Sequence, residues 1–285
     1  DGDPAKGNFV IGSPLAIALL TRAAARYCLG LPGWRGDLHH AVAMARSTDP
    51  FSYATVVAYV YFPGIPYGVL AADDPALREI EDARRIAERS GDDMALAFAG
   101  VMLGTALVHR HADSERSNGQ MLLAEVSDVL LRRGHNLSEL RLIKVYMARE
   151  KARSGDHDEA IPLMCAALDE LIREGQLMSW GIPATGVLVE TMLERGAKGD
   201  VADAAAAIDR LAAAPGIAGL VMREIWLLRM RALLARARGD DSAYRDLVSR
   251  YRAMAKSLDF KGHIVWAEAM TTASPLSREV AGPAT

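Results

Sequence analysis

Few groups in this chain of 285 residues are spaced for chemistry. A phosphate loop needs two glycines separated by four residues, then Lys and a hydroxyl residue, so that amides and an ammonium group hold the phosphates. Gly7 and Gly12 have the glycine spacing, but Ser13 stands in the Lys position and no strand pattern precedes them. No Gly-x-Gly-x-x-Gly fingerprint and no Gly-x-Ser-x-Gly nucleophile elbow occurs. The seven histidines are His39, His40, His109, His111, His135, His157 and His263, and no two have the i, i+4 spacing that sets two imidazoles on one helix face for a metal. His109-Arg110-His111 falls at the expected end of a helix, where cationic groups suit the negative end of the dipole. Cys28 and Cys165 are far apart, each inside an apolar pattern, and are expected to be reduced and buried.

The carboxylates cluster where capping explains them. Asp73-Asp74, Asp92-Asp93 and Asp240-Asp241 precede apolar periodic stretches, where a carboxylate accepts from the free amides of a helix start. Asn136-Leu137-Ser138 matches a glycosylation sequon, but Ser138 is expected to cap a helix instead. No catalytic, cofactor-binding or metal-ligating residue is therefore assigned, and no cofactor is expected.

The elements that carry these residues read as helices throughout. Hydrophobic residues make up 51% of the chain and aromatics 6%, a balance set by Ala, Leu, Val, Ile and Met that favours helix over sheet. Apolar positions recur at three and four, as in Leu140, Ile143 and Met147, or Ile161, Met164, Leu168 and Leu171. A Gly-Asp step recurs at 36–37, 91–92, 155–156, 199–200 and 239–240; Gly ends one helix in the left-handed conformation and Asp caps the next. Asp156 and Glu159 have capping-box spacing, and Asp74-Pro75 places proline at a first helical position.

These corners divide the chain into outer helices near 36–47, 75–90, 117–133, 157–173, 201–213 and 241–257. More apolar inner helices start near 15, 51, 94, 139, 177, 218 and 260. The near-regular period of about 40 residues predicts stacked helical hairpins. The expected fold is all-α, a tetratricopeptide-like superhelix of about 13 helices occupying residues 1–272 as one domain, with a frayed tail over 273–285. The segments Ala152–Ala160 and Ala237–Tyr244 resemble the turns of tetratricopeptide repeats. Two proline segments, Phe62–Tyr67 and Trp180–Pro183, are expected to kink inner helices, more as a packing adjustment within a long helix than as the opening of a pocket.

Charge and hydropathy narrow the partners. Thirty-three basic against 36 acidic side chains give a net charge of −3, so no global positive field draws nucleic acid. On the helix over 75–90, Arg78, Arg84, Arg85 and Arg89 alternate with Glu79, Glu81, Asp82 and Glu88, the pattern of a solvated face. The longest uncharged stretch, Met94–Val108, is too short to cross a bilayer and reads as a buried helix whose Gly100 and Gly104 admit a neighbouring backbone. The chain begins at Asp1 without Met, and a basic segment followed by an apolar core is not seen. The expectation is a cytoplasmic segment of something longer, without signal peptide or membrane span.

Four stretches carry a resemblance: Gly7–Leu15, Glu81–Asp93, Pro183–Thr191 and Asp246–Ala255. They resemble the C-terminal helical-repeat region of large actinobacterial, especially mycobacterial, class III adenylate cyclases that also carry an ATPase module. In that family the cyclase domain comes first, the ATPase module second and the repeats last, as in related LuxR-type and MalT-like regulators. The resemblance implies a parent that makes cyclic nucleotide from ATP, with this segment sensing or relaying a signal. Neither paired metal-binding aspartates in a strand-rich setting nor a phosphate loop carries over.

The expected function is a noncatalytic sensor or interaction domain. Its partner would be a protein or peptide, a neighbouring domain of the parent, or a small-molecule signal. The large side chains on inner helices, Tyr59, Tyr146, Trp180, Arg223 and Trp226, are the candidate contacts on a concave face, although an inner helix also has a buried side on which each would be core instead. The alternatives are an enzyme activity within the chain itself, or the effector-sensing half of a LuxR-type transcription factor.

Overall fold

The computed structural model describes residues 13–132, 139–216 and 219–272, and among these the chain forms thirteen α-helices and no strand. They are α1 (Pro14–Cys28), α2 (Trp34–Arg46), α3 (Pro50–Gly64), α4 (Asp74–Ser90), α5 (Asp93–Val108), α6 (Asp113–Arg132), α7 (Glu139–Arg153), α8 (His157–Arg173), α9 (Gly181–Arg195), α10 (Asp200–Ala213), α11 (Val221–Ala237), α12 (Asp241–Leu258) and α13 (Lys261–Thr272). The odd-numbered helices are the inner series, starting within four residues of the expected positions.

Burial follows from sequence pattern. Helices α3, α5, α9 and α11 are apolar on most sides and bury most of their length, whereas α4, α8, α10 and α12 bury one stripe. Each inner helix packs on the outer helix that follows it, and α3 on α5, α7 on α9 and α9 on α11 form the inner stack. In α5 the expected close approach is made by Gly104 alone: β-carbons on Gly104 and Gly119 would lie 3.1 and 2.8 Å from each other's carbonyl oxygens, so α5 and α6 touch through backbone there, whereas Gly100 meets the Val126 side chain. No helix among the described residues is long and apolar enough to cross a membrane.

Most corners form as expected. Gly91 (φ 68°) ends α4 and the Asp92 carboxylate accepts from the Met94 and Ala95 amides. Asp156 accepts from Glu159 N–H at 3.2 Å, and Asp240 from Ala243 N–H at 2.9 Å. Three corners differ. Gly36 and Asp37 lie inside α2, which starts after Gly33; Asp37 is buried and takes both guanidinium groups of Arg22 and Arg26 at 2.7 Å, so an ion pair between α1 and α2 replaces the cap. Asp73, not Asp74, caps α4, because Pro75 takes the second helical position. Asp200 is the first residue of α10 and pairs with Arg195 at 2.6 Å, leaving Gly199 at the cap.

The proline segments also differ from the expected kinks. Pro63 lies in the last turn of α3 and ends it; Pro183 lies in the first turn of α9, where the missing amide costs no hydrogen bond. His109 is not a cation at a helix end: its Nδ1 bonds the Thr105 carbonyl at 2.7 Å, and burial pushes its pKa down to about 3. Cys28 and Cys165 are free thiols, half-buried rather than enclosed. The α4 surface behaves as expected, with Arg84 pairing with Glu88 at 3.0 Å. Residues 7–12, His135, the Asn136–Ser138 sequon and the 273–285 tail lie outside the described residues.

The stack closes on itself. The Gly30 turn after α1 lies against Val221 of α11 and Leu258 of α12. Trp34 meets Phe260 edge-on at 6.0 Å, and Arg35 Nε pairs with Asp259 at 2.5 Å. Loop 65–73, after α3, docks on the start of α13. As a result, the apolar core of α1 and α2 is continuous with that of α7 to α13, while a second cluster fills the space between α3, α4 and α5.

Candidate ligand-binding cleft

The closed stack divides the five candidate contacts into two groups. Tyr146 and Trp226 are 1% and 2% exposed and serve as packing. Tyr146 meets the His109 ring at 4.7 Å, and Trp226 lies against Gly186, where a β-carbon would come within 2.1 Å of the indole. Arg223 donates to the Ala214 carbonyl at 3.0 Å and so closes the end of α10. Tyr146 and Trp226 thus belong to the core, and Arg223 is taken up by the end of α10 and by Glu224 at 3.5 Å.

Tyr59 and Trp180 come together. Tyr59, 47% exposed on α3, and Trp180, just before α9, line one open cleft of about 470 Å³ whose far wall is Ile17, Leu20 and Ala24 of α1. Both proline segments border it: Pro63 is part of the lining, and Trp180 stacks on Tyr67 with ring centroids 5.5 Å apart and planes 9° from parallel. Phe62 adds a third ring 5.3 Å from Trp180. Pro63 directs this arrangement, because ending α3 lets residues 65–68 turn back and deliver Tyr67 to the indole face.

Tyr59 is also the wall of a second, smaller hollow. That space of about 70 Å³ is lined by Phe62, Phe98, Val101, Leu140 and Ile143, with Glu139 as the one charged residue. Burial and the Glu139 charge both push the Tyr59 phenol up, so it is a neutral hydroxyl that donates or accepts. The two hollows together make an apolar, aromatic surface with a few hydroxyls, the usual composition of a small-molecule or side-chain pocket.

A second cleft lies outside, between α2, α4 and Lys261, and is larger and polar, about 720 Å³. Its lining sets Arg35, Arg46, Arg78, Arg85 and Lys261 against Asp73, Glu79 and Asp82, and part of this charge is paired within the cleft. Arg46 reaches the Tyr53 hydroxyl at 2.5 Å, Asp82 at 3.5 Å and Glu79 at 3.7 Å, and Tyr61 donates to Glu79 at 2.7 Å. Burial raises the Tyr53 phenol to about 12 and Tyr61 higher, so neither is a base at neutral pH. Among the described residues no group of His, Cys, Asp and Glu side chains could hold a metal ion.

Sequence reasoning missed the interior ion pairs. Arg229 of α11 donates to Glu190 of α9 at 2.6 Å, with Arg149 of α7 at 3.8 Å from the other oxygen, and the guanidinium groups hold Glu190 below the usual carboxylate range against the effect of burial. Arg116 and Arg153 share Glu150 in the same way. A charged residue at an inner position of an apolar helix was the available signal. The ordinary reading of such a residue as solvent-facing hides it. Comparison with family models, curated proteins and solved structures finds no match to this chain.

Proposed function

We propose that this chain is a noncatalytic helical-repeat sensor, the regulatory C-terminal part of a multidomain adenylate cyclase, and that its signal is bound in the cleft between α1, α3 and the start of α9. The observation that carries this reading is the convergence of Tyr59 and Tyr67, from the end of α3 and the loop after it, with Trp180, more than a hundred residues on, in one open apolar cleft. Tyr59, exposed at the mouth of a cleft backed by the buried Tyr67 and half-buried Trp180, offers a ligand an aromatic contact that folding does not cover. The resemblance of Glu81–Asp93, Pro183–Thr191 and Asp246–Ala255 to the cyclase repeat regions supplies the regulatory context. On this reading the domain is cytoplasmic and answers to a small-molecule or peptide signal, or to a neighbouring domain of its parent.

A binding site in the cleft predicts that an uncharged or weakly charged aromatic or aliphatic molecule stabilises the chain, by about 2.7 kcal/mol at a hundredfold excess over its Kd. A thermal-shift screen against metabolites, nucleotides and short apolar peptides tests this, with Tyr59→Ala as the control. Stabilisation that disappears in Tyr59→Ala supports the cleft. A ligand that binds both proteins equally places the site elsewhere.

A further inference from the structure

The start of α13 is capped from across the stack. The first amides of a helix have no partner within it. In α13 two of them are taken by loop 65–73: Lys261 N–H donates to the Val69 carbonyl at 3.1 Å and His263 N–H to the Gly68 carbonyl at 2.9 Å. The contact is backbone on backbone. A β-carbon on Gly262 would lie 2.8 Å from the Gly68 Cα, and one on Gly68 would lie 2.6 Å from Trp266 and 2.8 Å from His263.

His263 is at the centre of this seam, with no exposed surface. Its Nδ1 is 2.8 Å from the Tyr251 hydroxyl of α12, and Trp226 and Trp266 meet its ring edge-on at 5.4 and 5.0 Å. Nε2 faces Gly68, with the Tyr67 carbonyl as the acceptor on that side. The groups that face the ring are Arg229 from α11, Tyr251 from α12 and the Tyr67 carbonyl from loop 65–73. Arg229 is the charge among them, its guanidinium 5.0 Å over the Trp266 ring and paired on its other side with Glu190 of α9 at 2.6 Å. A neutral imidazole fits this box. An imidazolium would put a second cation beside Arg229, with only the Tyr251 hydroxyl and the Tyr67 carbonyl to meet its two N–H groups, in surroundings that cannot solvate the charge.

We propose that the seam is an acid-released latch: protonation of His263 detaches the start of α13 from loop 65–73 and opens the closed stack between its first and last helices. Burial and the Arg229 cation keep the closed-state imidazole neutral well below the ordinary histidine range, with the Tyr67 carbonyl opposing. The released ring regains its ordinary affinity for protons. Below a pH of about 6.5 the open form therefore gains on the closed form by up to tenfold per pH unit. Opening bares Trp226, Trp266 and Arg229, giving the chain a second surface that neutral pH conceals. The latch goes beyond the cleft reading and is independent of what the cleft binds.

Hydrogen exchange on the purified chain at pH 7.5 and 5.5, corrected for the intrinsic pH dependence of amide exchange, tests the latch. Segments 65–70 and 261–266 are expected to lose protection about tenfold at pH 5.5 through opening of the seam, whereas 182–192 of α9 exchanges only with global unfolding and stays the better protected at both pH values. His263→Gln, which cannot titrate, is expected to lack the step, and Gly68→Ala, in which the backbones cannot close, to be unprotected in both segments at both pH values. Unchanged protection in the wild type, seam segments as well protected as 182–192 at pH 5.5, or the same step in either variant would overturn the proposal. If His263→Gln does not fold, the wild type and Gly68→Ala decide it.

Discussion

Arg229 and Glu190, on neighbouring inner helices, form a 2.6 Å ion pair inside the stack, with the arginine side chain 8% exposed. Removing one partner leaves the other charge unpaired in a poorly solvated place. Glu190→Ala is expected to cost roughly 3 kcal/mol in urea unfolding, whereas the double change Glu190→Leu with Arg229→Met should recover most of that loss. A single variant as stable as the wild type would show that solvent already reaches the pair.

Gly186 and Trp226 fix the spacing of α9 and α11. A methyl group at 186 must displace the indole or part the helices, since its β-carbon would lie 2.1 Å from Cζ3. Gly186→Ala is expected to destabilise by about 1–3 kcal/mol despite the better helix propensity of alanine, read as a lower urea midpoint. A rise in the midpoint would contradict this packing.

Local signals made the helices legible in the sequence, and long-range contacts were invisible to them. Gly91-Asp92, Gly155-Asp156 and Gly239-Asp240 announce corners because turn and cap are encoded within a few residues. Gly36-Asp37 carries the same two letters, but Asp37 meets Arg22 and Arg26 of the preceding helix, and that tertiary pairing outweighs capping. The closure of the stack depends on Gly30 meeting Val221 and Gly68 meeting Gly262, contacts that no periodicity reveals. Of the candidate contacts, size and position on inner helices selected all five, but could not tell which side of the helix each one faces. Tyr59 and Trp180 open to the cleft, while Tyr146 and Trp226 point into the core.

Two buried neutral histidines set the acid side of the stability profile. In the folded chain His109 titrates at about 3 and His263 well below its ordinary value, whereas both ordinarily titrate near 6.5. The unfolded chain thus binds more protons below about 6.5, and stability must fall as pH falls through that value. From pH 7.5 to 5.5 the two together should remove roughly 2–3 kcal/mol of unfolding free energy. Paired Asp37, Asp200 and Glu190, held low, add their own loss at lower pH. Urea titrations at both pH values check this; equal stabilities would mean that neither ring is held neutral.

Cys28 borders the same cleft as Tyr59, and burial pushes its thiol up to about 11. Little thiolate is present at pH 7.5, so alkylation should be slow in the native chain and fast after denaturation. A cleft ligand should slow it further, with Cys28→Ala identifying the signal. Rapid native labelling at Cys28 would show the cleft wall to be open.

The central claim, that the chain binds a signal and carries no catalysis of its own, is tested most directly by incubating the purified protein with ATP and Mg²⁺ or Mn²⁺ and measuring cyclic AMP and released phosphate. The account predicts neither product above the level of a protein-free control. Either product, formed in proportion to protein concentration, would contradict it.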